Sequence, residues 1–349
     1  GIIGEYNKTL IQNMAKIQKH RGPDETSFYL NKKNNFSLGM NRLAVIDKKN
    51  GKQPMFSWDN KIVCVYNGTI YNFKEIKLYL EKKKVLFKTK SDTEVLVNAF
   101  SHWGDKCFEY FDGMWAVAIY DFKKKTTFLS RDYVGQKPLF YNHEENNLIF
   151  SSQINGIFQV KKQFEFSKKN TLEYFKFNHY PAPLTGYKNL LQVSPGEILE
   201  FRGKKISKQD YWRIENGGNY NLFFKRNHTD SIKELFFNII KRFSIADEKV
   251  GLCLSSGLDS QLIRVNLEKI FKKIKSFTIG FKDKTYDESR FIRSSVKNKN
   301  YKKVLSKNDY KIIFNKIKKN IYFPFGDASL LPTYKVFNLV KTQTNVTIT

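Results

Sequence analysis

The sequence predicts an α+β domain followed by an α/β domain with a doubly wound parallel sheet. Three observations carry that expectation. Residues 1–201 hold many short β-branched or aromatic runs separated by turn residues, with few helical segments. Residues 202–228 lose this pattern in polar sequence bearing Gly and Asn (ENGGNYN), which reads as a linker. From 229 to 349, helical segments alternate with short apolar strands, the signature of parallel strands joined by crossover helices.

The elements follow in order. Strands are expected at Ser37–Ile46, Lys61–Tyr66, Trp115–Asp121, Thr126–Arg131, Pro138–Tyr141 and Leu148–Ser152, bounded by turns such as Asp59-Asn60 and Glu145-Asn146-Asn147. Helical spacing predicts helices over Asn72–Lys83 and Thr93–Trp103. Ser91-Asp92 supplies an N-cap signal for the second. Beyond the linker the pattern predicts a helix over Thr229–Phe243, a strand over Val250–Leu254, a helix over Ser260–Ile270 and a strand over Ile274–Phe281. A further helix and a strand over Asn345–Ile348 close the sequence.

A chain of 349 residues, 41% hydrophobic and 15% aromatic, suits two packed domains and argues against disorder. No apolar run is long enough to cross a bilayer and the first residues lack a leader pattern, so a soluble, cytoplasmic protein with no membrane partner is expected. Cys64, Cys107 and Cys253 are widely spaced and odd in number, which excludes a disulfide framework or a cysteine zinc site. The net charge of +28 would suit a nucleic-acid partner. The lysines, however, are scattered along the whole chain among Asn, Ile and Phe, all residues of AT-rich codons. Genomic composition explains the charge, and nucleic acid is not expected as a partner.

The most informative stretch is Leu252-Cys253-Leu254-Ser255-Ser256-Gly257-Leu258-Asp259-Ser260. A buried strand turns through small residues directly into a helix. Backbone N–H groups can then converge on an anion at the positive end of the helix dipole. Ser255, Ser256 and Ser260 add hydroxyls, and Asp259 is placed to hold Mg2+ through a bound phosphate. The stretch is neither a Walker A loop nor a dinucleotide fingerprint. On chemistry alone a serine-rich N-cap turn explains it equally well. SSGLDS resembles the pyrophosphate loop of the ATP pyrophosphatase superfamily, usually S-G-G-x-D-S, with Ser256 in place of the commoner Gly. The resemblance implies ATP as a bound molecule with Mg2+, and contacts from Leu254 and Ile279 to the adenine. A Y-D-E-S run, Tyr286-Asp287-Glu288-Ser289, follows as in that superfamily.

The first half carries six short motifs in order. They are His20-Arg21-Gly22-Pro23-Asp24, Asn41-Arg42-Leu43-Ala44-Val45-Ile46-Asp47, Asn67-Gly68-Thr69-Ile70-Tyr71-Asn72, Ser91-Asp92-Thr93-Glu94, Asp112-Gly113-Met114 and Arg131-Asp132-Tyr133-Val134-Gly135-Gln136-Lys137-Pro138-Leu139. Any one is weak; the ordered set resembles the class II glutamine amidotransferases. With the loop above, the chain resembles the glutamine-hydrolysing asparagine synthetases over nearly its whole length. The resemblance implies an N-terminal nucleophile hydrolase αββα sandwich over 1–201, a linker over 202–228 and an incomplete ATP pyrophosphatase domain over 229–349.

The resemblance also assigns residues. Asn67 and Gly68 would form the oxyanion hole, and Arg42, Leu43, Ala44, Val45, Ile46, Asn67, Gly68, Thr69 and Asp92 would surround glutamine. Arg42 would clamp the α-carboxylate and Asp92 would take the α-ammonium. Thr69 stands where the family usually has Glu. One carboxylate is thereby lost from around the ammonium, an expected weakening of about 1–2 kcal/mol. The family begins C-G-I, with the cysteine as nucleophile, whereas this sequence begins Gly1-Ile2-Ile3-Gly4. As written it is expected not to hydrolyse glutamine, because Cys64 and Cys107 lie inside a predicted strand and helix. Phe323-Pro324-Phe325-Gly326-Asp327-Ala328-Ser329-Leu330-Leu331-Pro332-Thr333-Tyr334 resembles another family stretch, with Asp327 a candidate metal or substrate contact. The family's following S-G-[DE]-G-x-D-E motif would lie past Thr349, and truncation at both ends is the expectation.

The implied activity is glutamine-dependent asparagine synthesis. Glutamine supplies ammonia, ATP activates aspartate as β-aspartyl-AMP, and AMP and pyrophosphate are released, in an enzyme that is typically a homodimer. Rival readings are the same scaffold acting on a sugar carboxylate or a β-lactam precursor, a non-catalytic relic of the fold, and an RNA-directed basic protein.

Overall fold

Residues 62–70 and 113–121 alternate side chains in a way that suits a strand with a core on each face. In the computed structural model, which describes residues 1–213, 228–292, 300–318, 321 and 326–349, they are the central pair of a sheet. The chain divides into two compact units, Gly1–Gly218 and Asn219–Thr349.

Along the first unit run β1 (Ile2–Ile3), α1 (Lys8–Ile17), β2 (Glu25–Asn31), β3 (Phe36–Arg42), β4 (Met55–Phe56), β5 (Ile62–Ile70), α2 (Phe73–Lys82) and α3 (Asp92–Trp103). After a 3-10 turn come β6 (Gly113–Asp121), β7 (Thr126–Arg131), β8 (Phe140–Glu144), β9 (Asn147–Ser151), α4 (Ile154–Ile157), α5 (Lys168–Phe177), β10 (Leu191–Gln192), β11 (Glu197–Arg202) and β12 (Lys205–Asp210). Two antiparallel six-stranded sheets result, ordered β10-β8-β9-β1-β3-β2 and β12-β11-β7-β6-β5-β4. Ile3, Phe36, Leu38, Leu148 and Phe150 of the first sheet meet Val63, Val65, Ala118, Leu129 and Leu199 of the second in one buried cluster. Helix α1 covers the outside of the first sheet with Ile11, Met14 and Ala15, and α3, with α2 packed beside it, covers the second. The layers are αββα, as expected.

The second unit runs α6 (His228–Phe243), β13 (Val250–Cys253), α7 (Leu258–Ile270), β14 (Lys275–Phe281), β15 (Asn300–Leu305), α8 (Lys307–Ile317), α9 (Leu330–Val340) and β16 (Val346–Ile348). Its sheet, ordered β15-β14-β13-β16, is parallel throughout. Leu252, Leu254, Ile240, Leu267 and Ile274 pack on one face. Phe277, Leu339 and Val340 pack on the other, where Leu305, Ile313 and Ile317 form a further cluster. Both faces are therefore covered by helices, the doubly wound arrangement.

Two expectations are corrected. The strand expected over 37–46 stops at Arg42, because the Arg42 side chain binds the carbonyls of the residues after it (below). The linker expected from 202 begins later. β11 and β12 pair from Glu197↔Asp210 to Arg202↔Lys205, and the Tyr211 hydroxyl donates to the Arg131 carbonyl at 2.8 Å. The stretch Gly203–Asp210 is polar because β12 is the edge of the sheet, where charged residues block further pairing. Most of the remaining linker, 214–227, lies outside the described residues.

Phe36 is fully buried between the sheets, its ring 4.2 Å from that of Tyr120. Phe36→Ala is expected to cost about 3–5 kcal/mol in urea denaturation of the first unit, and a loss below about 1 kcal/mol would count against this core assignment.

Candidate active sites

The first-unit site is built on the end of β5. By alternation Asn67 and Thr69 share the face of the core residues Val63 and Val65, while Arg42 shares that of Phe36 and Leu38. Both sets lie on the inner faces of the sandwich, past the end of its core. Gly68 sits opposite Trp115 on β6, and a Cβ there would lie 2.1 Å from the Met114 carbonyl oxygen. No other residue fits this close approach.

Asp92, the first residue of α3, is buried beneath this strand end. Its Oδ2 accepts from the Tyr66 hydroxyl at 2.9 Å and the Ile70 N–H at 3.1 Å. Burial outweighs those bonds and raises its pKa to about 6. Burial and the neighbouring carboxylate push the Tyr66 phenol well above its ordinary value. Gln53 holds Tyr66 as a partner strand would. Its Nε2 donates to the Tyr66 carbonyl at 3.0 Å, and its Oε1 accepts from the Tyr66 N–H at 2.7 Å.

Arg42 is buried and already occupied. Its Nη1 donates to the Lys48 carbonyl at 2.9 Å, and its Nη2 donates to Ile46 and Asp47 at 3.0 and 2.7 Å. The guanidinium thus folds the loop that carries Leu43, Ala44, Val45 and Ile46. That loop is pinned at two more points. Asp24 accepts from the Ala44 N–H at 2.8 Å, and Asp47 accepts from the Lys90 N–H at 2.8 Å, two residues before Asp92. Gly22 lies against the Asn41 carbonyl with room for no side chain, which explains the His20–Asp24 motif as a brace for Arg42. The structure brings Arg42, the 43–46 loop, Asn67, Gly68, Thr69 and Asp92 into one connected region. Leu43 is its most exposed member.

The motif ending at Leu139 is structural. Asp132, fully buried, accepts from the N–H groups of Trp115, Val134, Gln136 and Lys137. Cys64 and Cys107 are buried, and desolvation raises the Cys64 thiol to about 12 and lifts Cys107 also. Neither is a nucleophile.

In the second unit, Leu254 extends β13 by donating its N–H to the Phe277 carbonyl at 2.9 Å. The chain then turns into α7, whose N-cap, Gly257, offers no side chain to the first-turn N–H groups. The Ser255 and Ser260 hydroxyls bond each other at 2.9 Å, and Gln261 Nε2 reaches the Ser255 carbonyl at 2.7 Å. Ser256 donates to Glu288 Oε2 at 2.7 Å, so the Tyr286–Ser289 turn touches the loop. Leu258 and Asp259 are exposed on the first turn of α7. Small residues running into an uncapped helix end fit a phosphate. Among the described residues no group of three or more His, Cys, Asp or Glu could hold a metal, so Asp259 fits Mg2+ only with phosphate oxygens completing its shell.

Three further expected residues have the following surroundings. Leu254 packs with Leu252 on the α6–α7 face, whereas Ile279 packs toward Leu305 and α8 on the opposite face. Asp327 is exposed in the turn before α9 and accepts from the Ser329 hydroxyl and N–H at 2.7 Å each, which holds its carboxyl below the usual range. Phe323, Pro324 and Phe325 lie outside the described residues. Sequence reading missed Gln53, Tyr66 and Glu288; only Glu288 had a signal, in the quoted Y-D-E-S run.

The family model described as Glutamine amidotransferase domain matches residues 1–212, and that described as Asparagine synthase matches 231–349. The Methanocaldococcus jannaschii protein named "Putative asparagine synthetase (glutamine-hydrolyzing) 2" is 33% identical over 97% of this chain and 70% of its own. Asparagine synthetase (glutamine-hydrolyzing) 1 of Bacillus subtilis is 27% identical over 100% of this chain and 57% of its own. The third relative, asparagine synthetase (glutamine-hydrolyzing) 3 of B. subtilis, is matched over half its length, so the chain spans between about half and 70% of these relatives. Among solved structures, the B. subtilis glutamine phosphoribosylpyrophosphate amidotransferase aligns with 84% of this chain and 68% of its own at 16% identity and a TM-score of 0.45. On the two family-model matches and the 33% identity to the M. jannaschii protein, the chain belongs to the glutamine-hydrolysing asparagine synthetase family.

Proposed function

We propose that this chain provides the glutamine site and the nucleotide loop of an enzyme that amidates aspartate. ATP activates the β-carboxylate as β-aspartyl-AMP, ammonia from glutamine displaces AMP, and pyrophosphate is the other product. The observation that carries the first half is the buried Asp92 carboxylate beneath Asn67–Ile70. A carboxylate in that position recognises an ammonium, and the strand end above it presents amide donors.

In this reading the Asn67 side-chain amide and the Gly68 N–H receive the oxyanion as the tetrahedral intermediate forms. The nucleophile is the cysteine that the family carries ahead of Gly1, whose free amine takes the thiol proton. Arg42 shapes the 43–46 loop through the carbonyls it holds, and its positive charge, shared with Glu25 3.7 Å from Nη1, draws the glutamine α-carboxylate. In the second unit the loop from Ser255 to Ser260 and the N-terminus of α7 bind the β and γ phosphates. Asp259 would hold Mg2+, which would supply positive charge beside the phosphates. The adenine lies against main-chain atoms at the ends of β13 and β14, since Leu254 and Ile279 face opposite ways.

Three outcomes test this. The full product of the encoding gene, given ATP, Mg2+ and ammonia, should release pyrophosphate only when aspartate is added; release stimulated by another carboxylate instead would reassign the acceptor. With a cysteine placed directly before Gly1, the chain should release ammonia from glutamine, and Asn67→Ala should lower kcat by about 10²–10³ with little change in KM. Equal rates in the two proteins would remove the oxyanion role. The third concerns pH. Asp92 has a raised pKa, so its charge, and with it the hold on the ammonium, is lost as pH falls through about 6. Calorimetry should show the Kd for glutamine rising about tenfold from pH 7.5 to pH 5, a dependence absent in Asp92→Asn.

A further inference from the structure

Ser256 is the one position in the loop that departs from the superfamily pattern, and it is the residue that contacts Glu288. Its hydroxyl donates to Glu288 Oε2 at 2.7 Å. A glycine at 256 could make no such bond. The carboxylate is carried by a well-built turn. Asp287 caps it, accepting from the Ser289 and Phe281 N–H groups at 3.2 and 3.3 Å, and stands 3.7 Å from Lys302 Nζ. Glu288 is therefore aimed at the loop from a fixed base, with no cation among its own contacts in the described residues.

The consequence is electrostatic. The loop backbone and the start of α7 attract an anion. Glu288 puts a full negative charge at the same place, and Asp259 adds a second on the first helical turn. Metal-free triphosphate meets two carboxylates there. Triphosphate complexed with a divalent cation brings the charge that both require.

We infer that Ser256 and Glu288 form a selectivity pair: Ser256 positions the Glu288 carboxylate beside the loop, where it disfavours metal-free nucleotide and favours the metal complex. This rests on the reading of residues 255–260 as a nucleotide loop. The residue that replaces glycine thus trades some closeness of backbone approach for discrimination by charge.

The test is equilibrium binding of ATP to the full chain by titration calorimetry, with Mg2+ and, separately, with EDTA. The quantity read is the ratio of the two dissociation constants. Glu288→Gln keeps an acceptor for Ser256 but removes the charge, and should lower that ratio by about tenfold, chiefly by tightening metal-free binding. Ser256→Gly leaves the charge but releases it, and should lower the ratio by about threefold. Unfolding midpoints within about 2 °C of the parent would show that both variants are folded. A ratio in Glu288→Gln within twofold of the parent, with tight binding retained, overturns the selectivity role and leaves the loop assignment standing. Failure of the parent chain to bind ATP in the presence of Mg2+ overturns both.

Discussion

The first unit depends on a charge that would be unstable in isolation. Asp92 is buried, and an unpartnered carboxylate in that position would cost several kcal/mol. Hydrogen bonds from Tyr66 and Ile70, each worth about 1.5–3 kcal/mol to a charged acceptor, offset part of this, and the start of α3 adds its dipole. The balance remains short, which is why the pKa rises to about 6. A site left short of positive charge is suited to an ammonium ligand. The same bonds fix the geometry, since they tie the first turn of α3 to the last residues of β5. Gln53 holds Tyr66 from the other side, and Asp47 links Lys90 to the Arg42 loop. Moving Asp92 would disturb each of these.

The sandwich explains why the site lies where it does. Inside, aromatic and aliphatic residues of both sheets fill the gap. Toward the end of β5 the inner-face residues change from Val63 and Val65 to Asn67 and Thr69. Polar groups there would be costly in the core, so the change marks where the sheets stop enclosing an apolar layer. Gly68 lets β5 and β6 stay in register through that change despite the Met114 carbonyl beside it. Asp132 does the equivalent for the next loop, collecting four N–H groups that no strand partner satisfies.

Much of this was legible in residue order. The strands around β5–β7 and the helices α2, α3, α6 and α7 stand out because their periodicity is strong. The site motifs stand out because glycines and paired polar residues occupy positions that packing alone would not select. What was hidden is informative. β12 reads as linker because an edge strand is solvated and lacks an apolar alternation. Arg42 reads as a ligand clamp, but its first partners are the carbonyls of its own loop, which a motif cannot reveal. Leu254 and Ile279 look equivalent as apolar strand residues; only the pairing of β13 with β14 shows that they face opposite ways. Gln53 and Tyr66 carry no local signal, since their bond depends on a chain reversal between them.

The two units hold their polar groups by opposite means. Around Asp92 the network is buried and already formed, so a ligand bound there would require little reorganisation. The loop from Ser255 to Ser260 is exposed, and its hydroxyls find partners locally: Ser255 with Ser260, and Ser256 with the Glu288 carboxylate. Near water such bonds are worth about 0.5–1.5 kcal/mol each, small enough for phosphate oxygens to displace. The loop can therefore keep its shape while empty and exchange the bonds when filled. Of these bonds, the one to Glu288 involves a carboxylate, for which the described residues offer no ion pair. Divalent metal is the group best able to compensate that charge, so the proposed pairing of Ser256 with Glu288 would couple nucleotide binding to the metal before any chemistry begins.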